Sequence, residues 1–186
     1  DLVAVHQPRV IDSMAGGWSS LEDGRGSTVQ DVRAVAGVED DATRISYDLA
    51  ADGWVGITKT VTGRGENGSL NLAGTDGISF FLRGSESANA LQVWVRDVNG
   101  TIYGRPWERS AITPDWTHQE ALYDEFGCIG VEGSGCRDAT LDLGNVTAFY
   151  FIVRDLEGGE LGSSGWIAVD DLESLRLKDG GAEGGP

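Results

Sequence analysis

The sequence predicts an all-β domain, a β-sandwich jelly roll of two antiparallel sheets. Seven stretches alternate apolar and polar residues with a period of two, as strands do when one face of a sheet is buried. Between these stretches lie Asp/Asn clusters and many of the 28 glycines, which mark tight turns. No segment of ten or more residues carries the 3.6-residue period of an amphipathic helix.

The predicted strands run from the first third of the chain to near its end. They are Arg44–Leu49, Trp54–Val61, Ile78–Arg83, Leu91–Arg96, Thr101–Gly104, Phe149–Arg154 and Trp166–Asp171. The nearly continuous apolar character of Ile78–Arg83 indicates a central strand. Asn99-Gly100, between the fourth and fifth strands, is a strong signal for a two-residue hairpin turn.

Chain length and composition favour one domain over residues 1–177, long enough to bury a sizeable core. Residues 178–186 contain no apolar residue larger than alanine and are typical of a linker to another module. The first residue is Asp1 rather than methionine, and no apolar leader follows it, which suggests a mature or trimmed fragment. A monomer is expected.

A net charge of −16 and a pI near 4.3 exclude two classes of partner. Nucleic acids and anionic membrane surfaces would both be repelled. The sequence also lacks an apolar run of about 20 residues that could cross a bilayer. The charge suits cation binding or a solvated extracellular surface.

Two cysteines, Cys128 and Cys136, flank a glycine-rich loop that is flexible enough to close a ring. A disulfide is the preferred interpretation, and it implies a secreted, extracellular protein. Two free thiols are the alternative. Zinc is disfavoured because both histidines are remote in sequence and there is no second cysteine pair.

Several predicted strands carry aromatic and polar side chains opposite their core faces. If these strands share one sheet, its outward face suits a sugar chain, because pyranose rings stack on aromatic rings while polar groups bind the hydroxyls. The alternative is that the rings pack under a loop and the arginines pair with aspartates. The candidate ligand-binding residues on these strands and at their ends are Gln92, Trp94, Arg96, Asp97, Tyr150 and Arg154. Trp54 and Tyr103 are further candidates as aromatic residues in or next to loops, where the alternative is that they cover the core. By the same alternation, Phe81 and Arg83 are candidates for this face.

Carboxylates near both ends of the domain are candidates for a calcium site, with Asp12, Asp40 and Asp171 as the proposed ligands. Calcium takes six to eight oxygen ligands, which acidic turns can supply. The alternative is that these are solvated turn acids.

The sequence gives no positive sign of an active site. Asp170 and Asp171 are adjacent on a predicted strand, so they point to opposite faces and cannot act as a glycosidase pair. Asp97 and Asp155 each follow an arginine that would keep the carboxylate ionised. The sequence contains no Gly-x-Ser-x-Gly, His-Glu-x-x-His or phosphate-loop motif.

Short segments spread from about Val10 to Leu177 share an order and spacing with one known family. They are Val10–Met14 with Trp18, Gly53–Gly56, Gly77–Phe80 with Arg83 and Gly84, Ile112–Trp116 with Phe126, Leu141–Val146 with Phe149–Phe151, and Val169–Leu172. In these segments the chain resembles family 11 carbohydrate-binding modules and the wider group of galactose-binding-like jelly rolls.

The resemblance implies a non-catalytic module that binds a β-glucan or a related plant or algal polysaccharide and targets an attached glycoside hydrolase. It also implies structural calcium, with Asp12 and Asp171 at the matching positions. Ala15 stands where the family has glutamate, and the arginines on the predicted face exceed what a neutral glucan requires. An acidic polysaccharide is therefore a second ligand class. A jelly-roll glycosidase or lyase and a protein-interaction domain are the alternative functions.

Overall fold

A computed structural model describes residues 9–63, 68–85, 89–131, 136, 140–155 and 163–177. These residues form twelve strands and three short 3-10 turns. The strands are β1 (Arg9–Asp12), β2 (Ser19–Glu22), β3 (Thr28–Ala36), β4 (Asp41–Asp48), β5 (Trp54–Thr60), β6 (Gly77–Gly84), β7 (Ala90–Asp97), β8 (Thr101–Trp107), β9 (Thr117–Leu122), β10 (Gly127–Val131), β11 (Val146–Arg154) and β12 (Ser164–Leu175). The turns are Arg109–Ala111, Tyr123–Glu125 and Leu143–Asn145. Within these ranges, no helix is long and apolar enough to span a membrane.

The strands pair antiparallel into two six-stranded sheets, which confirms the predicted β-sandwich. The front sheet has the order β10-β8-β7-β11-β5-β2. The back sheet has the order β3-β4-β12-β6-β9, and β1 pairs with β12. Strands that neighbour each other in a sheet are mostly remote in sequence, so local pattern alone does not determine this order.

One hydrophobic core lies between the sheets, because each inner strand turns its alternate apolar residues inward. Phe151 of β11 is fully buried and makes edge-to-face contacts with Phe80 at 5.2 Å and with Trp18 at 5.5 Å between ring centroids. Full burial of one such side chain contributes about 1.5–3 kcal/mol to folding. Because successive side chains of a strand point to opposite faces, the residues on either side of Phe151 face away from the core.

All seven predicted strands are present, most of them longer than predicted, and five further strands went unpredicted. The missed strands are β1, β2, β3, β9 and β10. β3 hides its alternation because its register shifts between Val29 and Asp31. β9 ends one sheet and carries mostly polar residues, so it lacks the apolar pattern of an inner strand.

The hairpin predicted at Asn99-Gly100 connects β7 to β8, but its loop is one residue longer than predicted. Gly100 has a φ of 78°, as is usual at the end of a three-residue loop. A two-residue loop would place Arg96 opposite Tyr103, whereas the observed register places Val95 opposite Tyr103. One residue of register moves a side chain to the other face of a sheet. Tyr103 consequently packs against the core.

Asp97 stabilises the same hairpin and is 1% exposed. Its Oδ1 accepts the amides of Asn99 and Thr101, both at 2.9 Å, and its Oδ2 accepts the amide of Asp142 at 3.0 Å. Both carboxylate oxygens are therefore engaged by the backbone. The prediction that Asp97 binds ligand does not agree with this burial.

The predicted disulfide is present and links Cys128 of β10, an edge strand of the front sheet, to Cys136. The linker-like tail predicted at 178–186 lies outside the described residues.

Candidate ligand-binding face

Strand order brings the predicted aromatic residues together on the outward face of the front sheet. Tyr150 of β11 lies opposite Trp94 of β7 on one side and opposite Thr58 of β5 on the other. Arg154 lies opposite Trp54 in the next part of the same ladder. Directly opposed residues share a face of a sheet. The face therefore collects aromatic and cationic side chains from three neighbouring strands.

Trp94 stands at the centre of an aromatic row. Its ring centroid lies 6.3 Å from that of Trp54 and 6.0 Å from that of Tyr150, with interplanar angles of 53° and 47°. Its indole Nε1 donates a hydrogen bond to Gln92 Oε1 at 3.1 Å. A side chain at Gly104 would bring its Cβ within 2.4 Å of the Trp94 ring, so glycine there leaves room for the indole. These contacts hold the three rings in one arrangement.

A cleft of about 470 Å³ lies beside this row. Its walls combine two tryptophans, an apolar floor, an amide, two carboxylates and two guanidinium groups. The lining residues are Asp23, Arg25, Asp52, Trp54, Gln92, Trp94, Ile152 and Arg154. Aromatic surface flanked by a few polar groups suits a ring with one apolar face and several hydroxyls.

Four predicted residues, Trp54, Gln92, Trp94 and Arg154, line this cleft. Tyr150 and Arg96 share the face with them, since Arg96 lies two residues from Trp94 on β7. Tyr103 and Asp97 do not belong to the face, for the reasons of register and burial given above.

Arg83 does not lie on this face either, because β6 belongs to the back sheet. The expectation that Arg83 joins Arg96 and Arg154 beside the aromatic row is therefore wrong. Phe81 lies on the same strand of the back sheet as Arg83, and its ring centroid lies 4.9 Å from that of His118.

Asp23, Arg25 and Asp52 also line the cleft and were not predicted from the sequence. The stretch from Asp23 to Ser27 contains two glycines with positive φ, Gly24 and Gly26, and such a turn forms no recognisable motif on its own. Its place beside Trp54 results from long-range hydrogen bonds. Asp52 lies two residues before Trp54, and this short separation is the one sequence signal that could have indicated a cleft residue here.

The stretch from Asp23 to Ser27, which we call the rim loop, is held against β5 by Asp23. Its Oδ2 accepts the Trp54 amide at 3.0 Å and the Ser27 hydroxyl at 2.7 Å, and its Oδ1 accepts the Arg25 amide at 2.7 Å. Burial acts to raise the pKa of Asp23, but the hydrogen bonds from Ser27, Arg25 and Trp54 outweigh it and leave the pKa below its ordinary value of 3.8. The carboxylate therefore stays ionised while the loop is in place.

We expect Asp23→Asn to lower the melting temperature at neutral pH and to lower it less in acid. A carboxylate with a depressed pKa stabilises the fold above its unfolded pKa, and that stabilisation is lost as the pH falls through the folded value. Thermal unfolding of both proteins between about pH 3 and about pH 7 measures this difference. Asp115→Asn is the control, because that exposed side chain accepts no hydrogen bond within the described residues. A gap between wild type and Asp23→Asn that is independent of pH would contradict the prediction.

Asp12, the first of the predicted calcium ligands, has other partners. Its Oδ2 lies 2.5 Å from the Lys59 ammonium, and its Oδ1 accepts the Met14 amide at 2.8 Å and the Trp18 indole N–H at 3.3 Å. Lys59 also donates to the carbonyl of Gly16 at 2.7 Å. The Asp12 carboxylate is thus paired with an ammonium group.

The other two predicted ligands, Asp40 and Asp171, lie near further acids. Burial raises the pKa of Asp171, and the neighbouring charges of Asp170, Glu39 and Asp40 raise it further. Across the described ranges, no three or more Asp, Glu, His or Cys side chains are arranged to hold a metal ion. Calcium binding by Asp12, Asp40 and Asp171 therefore stays a prediction.

A family model described as carbohydrate binding domain (family 11) matches residues 9–175. The chain belongs to carbohydrate-binding family 11. This family 11 domain is therefore a carbohydrate-binding module, and the aromatic row is its candidate binding site. No curated protein sequence matches it significantly.

Solved structures show the same fold. A family 11 carbohydrate-binding module from Clostridium thermocellum, in complex with a β-1,3-1,4-mixed-linked tetrasaccharide, is 21% identical with a TM-score of 0.70 over 91% of this chain and 95% of that one. The family 30 module of a C. thermocellum cellulosomal cellulase is 17% identical with a TM-score of 0.56, over 93% and 95% of the two chains. A β-1,2-glucanase from Parabacteroides distasonis is 14% identical with a TM-score of 0.58, and the match covers 90% of this chain but 24% of the glucanase.

Proposed function

We propose that this family 11 domain binds a β-glucan or a related plant or algal polysaccharide along the aromatic row of the front sheet. The observation that carries the proposal is the contact of Trp54, Trp94 and Tyr150 across three neighbouring strands. Sugar rings stack on the aromatic rings, while Gln92 and Arg154 hydrogen-bond the hydroxyls. The mixed-linked glucan fragment bound by the C. thermocellum module supports this ligand class.

The proposed role is to bring an attached glycoside hydrolase to its insoluble substrate. In the P. distasonis glucanase, the region that resembles this domain is a minor part of a longer enzyme chain, which supports a modular arrangement. The disulfide supports an extracellular location. We propose that the domain itself is monomeric and non-catalytic, in keeping with a family of binding domains.

A catalytic role for Asp23 of the cleft, or for Asp155 beside it, is not favoured. The oxygens of Asp23 are occupied by amides and a hydroxyl, as described above. Asp155, at the exit of β11, is 6% exposed and accepts the Asp52 amide at 3.2 Å. A glycosidase needs one carboxylic acid and one carboxylate that are free to face the scissile bond.

Affinity electrophoresis against mixed-linkage β-glucan, xyloglucan, xylan, mannan and agarose tests the proposal. We expect at least one neutral polymer to retard the domain, with a Kd on the order of micromolar to millimolar, because an open face buries few contacts. Repeating the gels with EDTA tests the calcium prediction separately. Failure of every neutral polymer to retard the domain would contradict the proposed ligand class. Release of reducing sugar by the isolated domain would contradict the non-catalytic role.

A further inference from the structure

The outward face of the back sheet carries a row of arginines on a strongly acidic protein. Arg33 of β3 lies opposite Arg44 of β4, and Arg44 lies opposite Ala168 of β12. Ala168 in turn lies opposite Arg83 of β6. Neighbouring strands are about 4.8 Å apart, so the row from Arg33 to Arg83 spans about 14 Å. We call Arg33, Arg44 and Arg83, with the flanking Trp116 and Trp166, the arginine row.

Two indoles hold Arg44 and Arg83 in place. The guanidinium carbon of Arg44 lies 4.4 Å from the ring centroid of Trp166, and that of Arg83 lies 4.5 Å from the ring centroid of Trp116. A guanidinium stacked in this way uses its flat face and keeps its N–H donors for other partners. Both side chains are half-buried.

The protein leaves the charges of these two arginines largely unmatched. Within the described part of the chain, no carboxylate lies in ion-pair distance of Arg44 or Arg83, and the buried Nε of each lacks a hydrogen-bond partner. Arg83 donates from Nη2 to the carbonyl of Ala36 at 3.2 Å. Burial lowers the pKa of Arg44, and the positive charges of Arg33 and Arg83 lower it further, although Asp31 opposes them. Like charges held together without a counter-charge destabilise the free protein, so a bound anion would relieve them.

We propose that the arginine row is a second carbohydrate-binding surface, which takes an acidic polysaccharide bearing carboxylate or sulfate groups. Guanidinium groups bind both anions in bidentate fashion. A row of about 14 Å is longer than a single oxyanion and suits a polymer that repeats its acidic group. Membership of a carbohydrate-binding family favours a polysaccharide over an acidic protein as that polymer.

The overall charge of −16 does not prevent this binding. The Debye length is about 10 Å at 0.1 M salt, so carboxylates beyond the row are largely screened. Asp31 competes with a bound anion, because its Oδ2 lies 3.2 Å from Arg33 Nε. Removing the charge of Asp31 should therefore strengthen the site.

Calorimetric titration of the whole domain with two matched pairs of polymers tests the proposal. The pairs are polygalacturonate with its methyl ester and dextran sulfate with dextran. We expect each acidic polymer to bind at least about tenfold tighter than its neutral partner at about 100 mM NaCl and to weaken markedly at about 500 mM NaCl. Trp54→Ala/Trp94→Ala, which removes the front-face rings, should leave this preference intact. Neutral glucan binding is measured on the same proteins, so failure of the front site is recognised separately.

Variants of the arginine row give the decisive comparison. Arg44→Gln/Arg83→Gln should weaken acidic-polymer binding at least about tenfold, and Arg44→Lys/Arg83→Lys should restore part of it. The exposed Arg33→Gln should weaken binding without disturbing the fold, whereas Asp31→Asn should tighten it. Arg109→Gln, which removes an exposed charge from the turn after β8, is the control for net charge. Melting temperatures establish that each variant is folded.

Four results would overturn the proposal. The first is no binding of either acidic polymer, and the second is equal binding by wild type and by Arg44→Gln/Arg83→Gln. Loss of acidic-polymer binding in Trp54→Ala/Trp94→Ala would assign the anion to the front face instead. Binding of poly-L-glutamate as tight as that of polygalacturonate would replace a polysaccharide with an acidic protein as the ligand.

Discussion

Trp94→Ala is expected to remove most of the affinity of the domain for its neutral polysaccharide. Trp94 is the central ring of the row and contacts Trp54, Tyr150 and Gln92. Its loss removes one stacking surface and also releases the two neighbouring rings. Central aromatic residues of binding sites typically contribute at least about 2 kcal/mol, which corresponds to roughly a 30-fold increase in Kd.

Calorimetric titration with the polymer that retards the wild type measures this loss. Trp116→Ala is the matched control, because this half-buried indole lies against Arg83 of the back sheet and should leave neutral-glucan binding unchanged. Gly104→Val should lower affinity as well, since a side chain there collides with the Trp94 ring. If Trp94→Ala bound neutral glucan within about twofold of wild type, the aromatic row would not be the binding site.

Phe151→Ala is expected to cost about 3–5 kcal/mol of folding free energy. The ring is fully buried and contacts Phe80 of the opposite sheet as well as Trp18, so its removal leaves a cavity between the sheets. Urea denaturation measures the change in unfolding free energy. A loss below about 1 kcal/mol would show that the core does not depend on this contact.

Tyr150→Ala, one residue earlier, should have the opposite profile. Tyr150 is half-buried on the outward face beside Trp94, so its loss should weaken sugar binding far more than it lowers stability. Phe151→Ala, measured under conditions where it is folded, should retain most of its affinity. The pair separates the two faces of a single strand, because successive side chains point to opposite sides of a sheet. A common effect on stability and affinity in both variants would contradict this division.

The alternation of apolar and polar residues along single strands was enough to predict that several side chains point away from the core. Trp94, Tyr150 and Arg154 were assigned to outward faces from β7 and β11 alone, and their registers in the front sheet confirm that assignment. The apolar–polar alternation did not predict every strand and every side-chain direction correctly. Tyr103, predicted as an exposed aromatic near a loop, lies within β8 and packs against the core, and β3 was missed because of its bulge.

Residue type alone also misjudged some polar groups. Asp97 follows a strand that carries site residues, yet it is buried and stabilises a turn. Asp23 shows no motif, yet three of its hydrogen bonds set the rim of the cleft beside Trp54. In both cases the role of the carboxylate depends on the hydrogen-bond donors that the fold places beside it. From the sequence, a turn carboxylate that accepts backbone hydrogen bonds cannot be distinguished from one that binds a ligand.

By itself, the sequence determined the β-sandwich class, the inner strands, the disulfide and the outward direction of the aromatic residues. These properties depend on spacing within a few residues, so they are visible without the fold. Only the tertiary structure decided that Trp54, Trp94 and Tyr150 meet on one face while Arg83 joins Arg33 and Arg44 on the other. Strand order is a matter of pairing between segments far apart in the chain, because β5 lies beside β11 and β6 beside β12. Which strands become neighbours depends on how the whole apolar core closes, and no local pattern encodes that outcome.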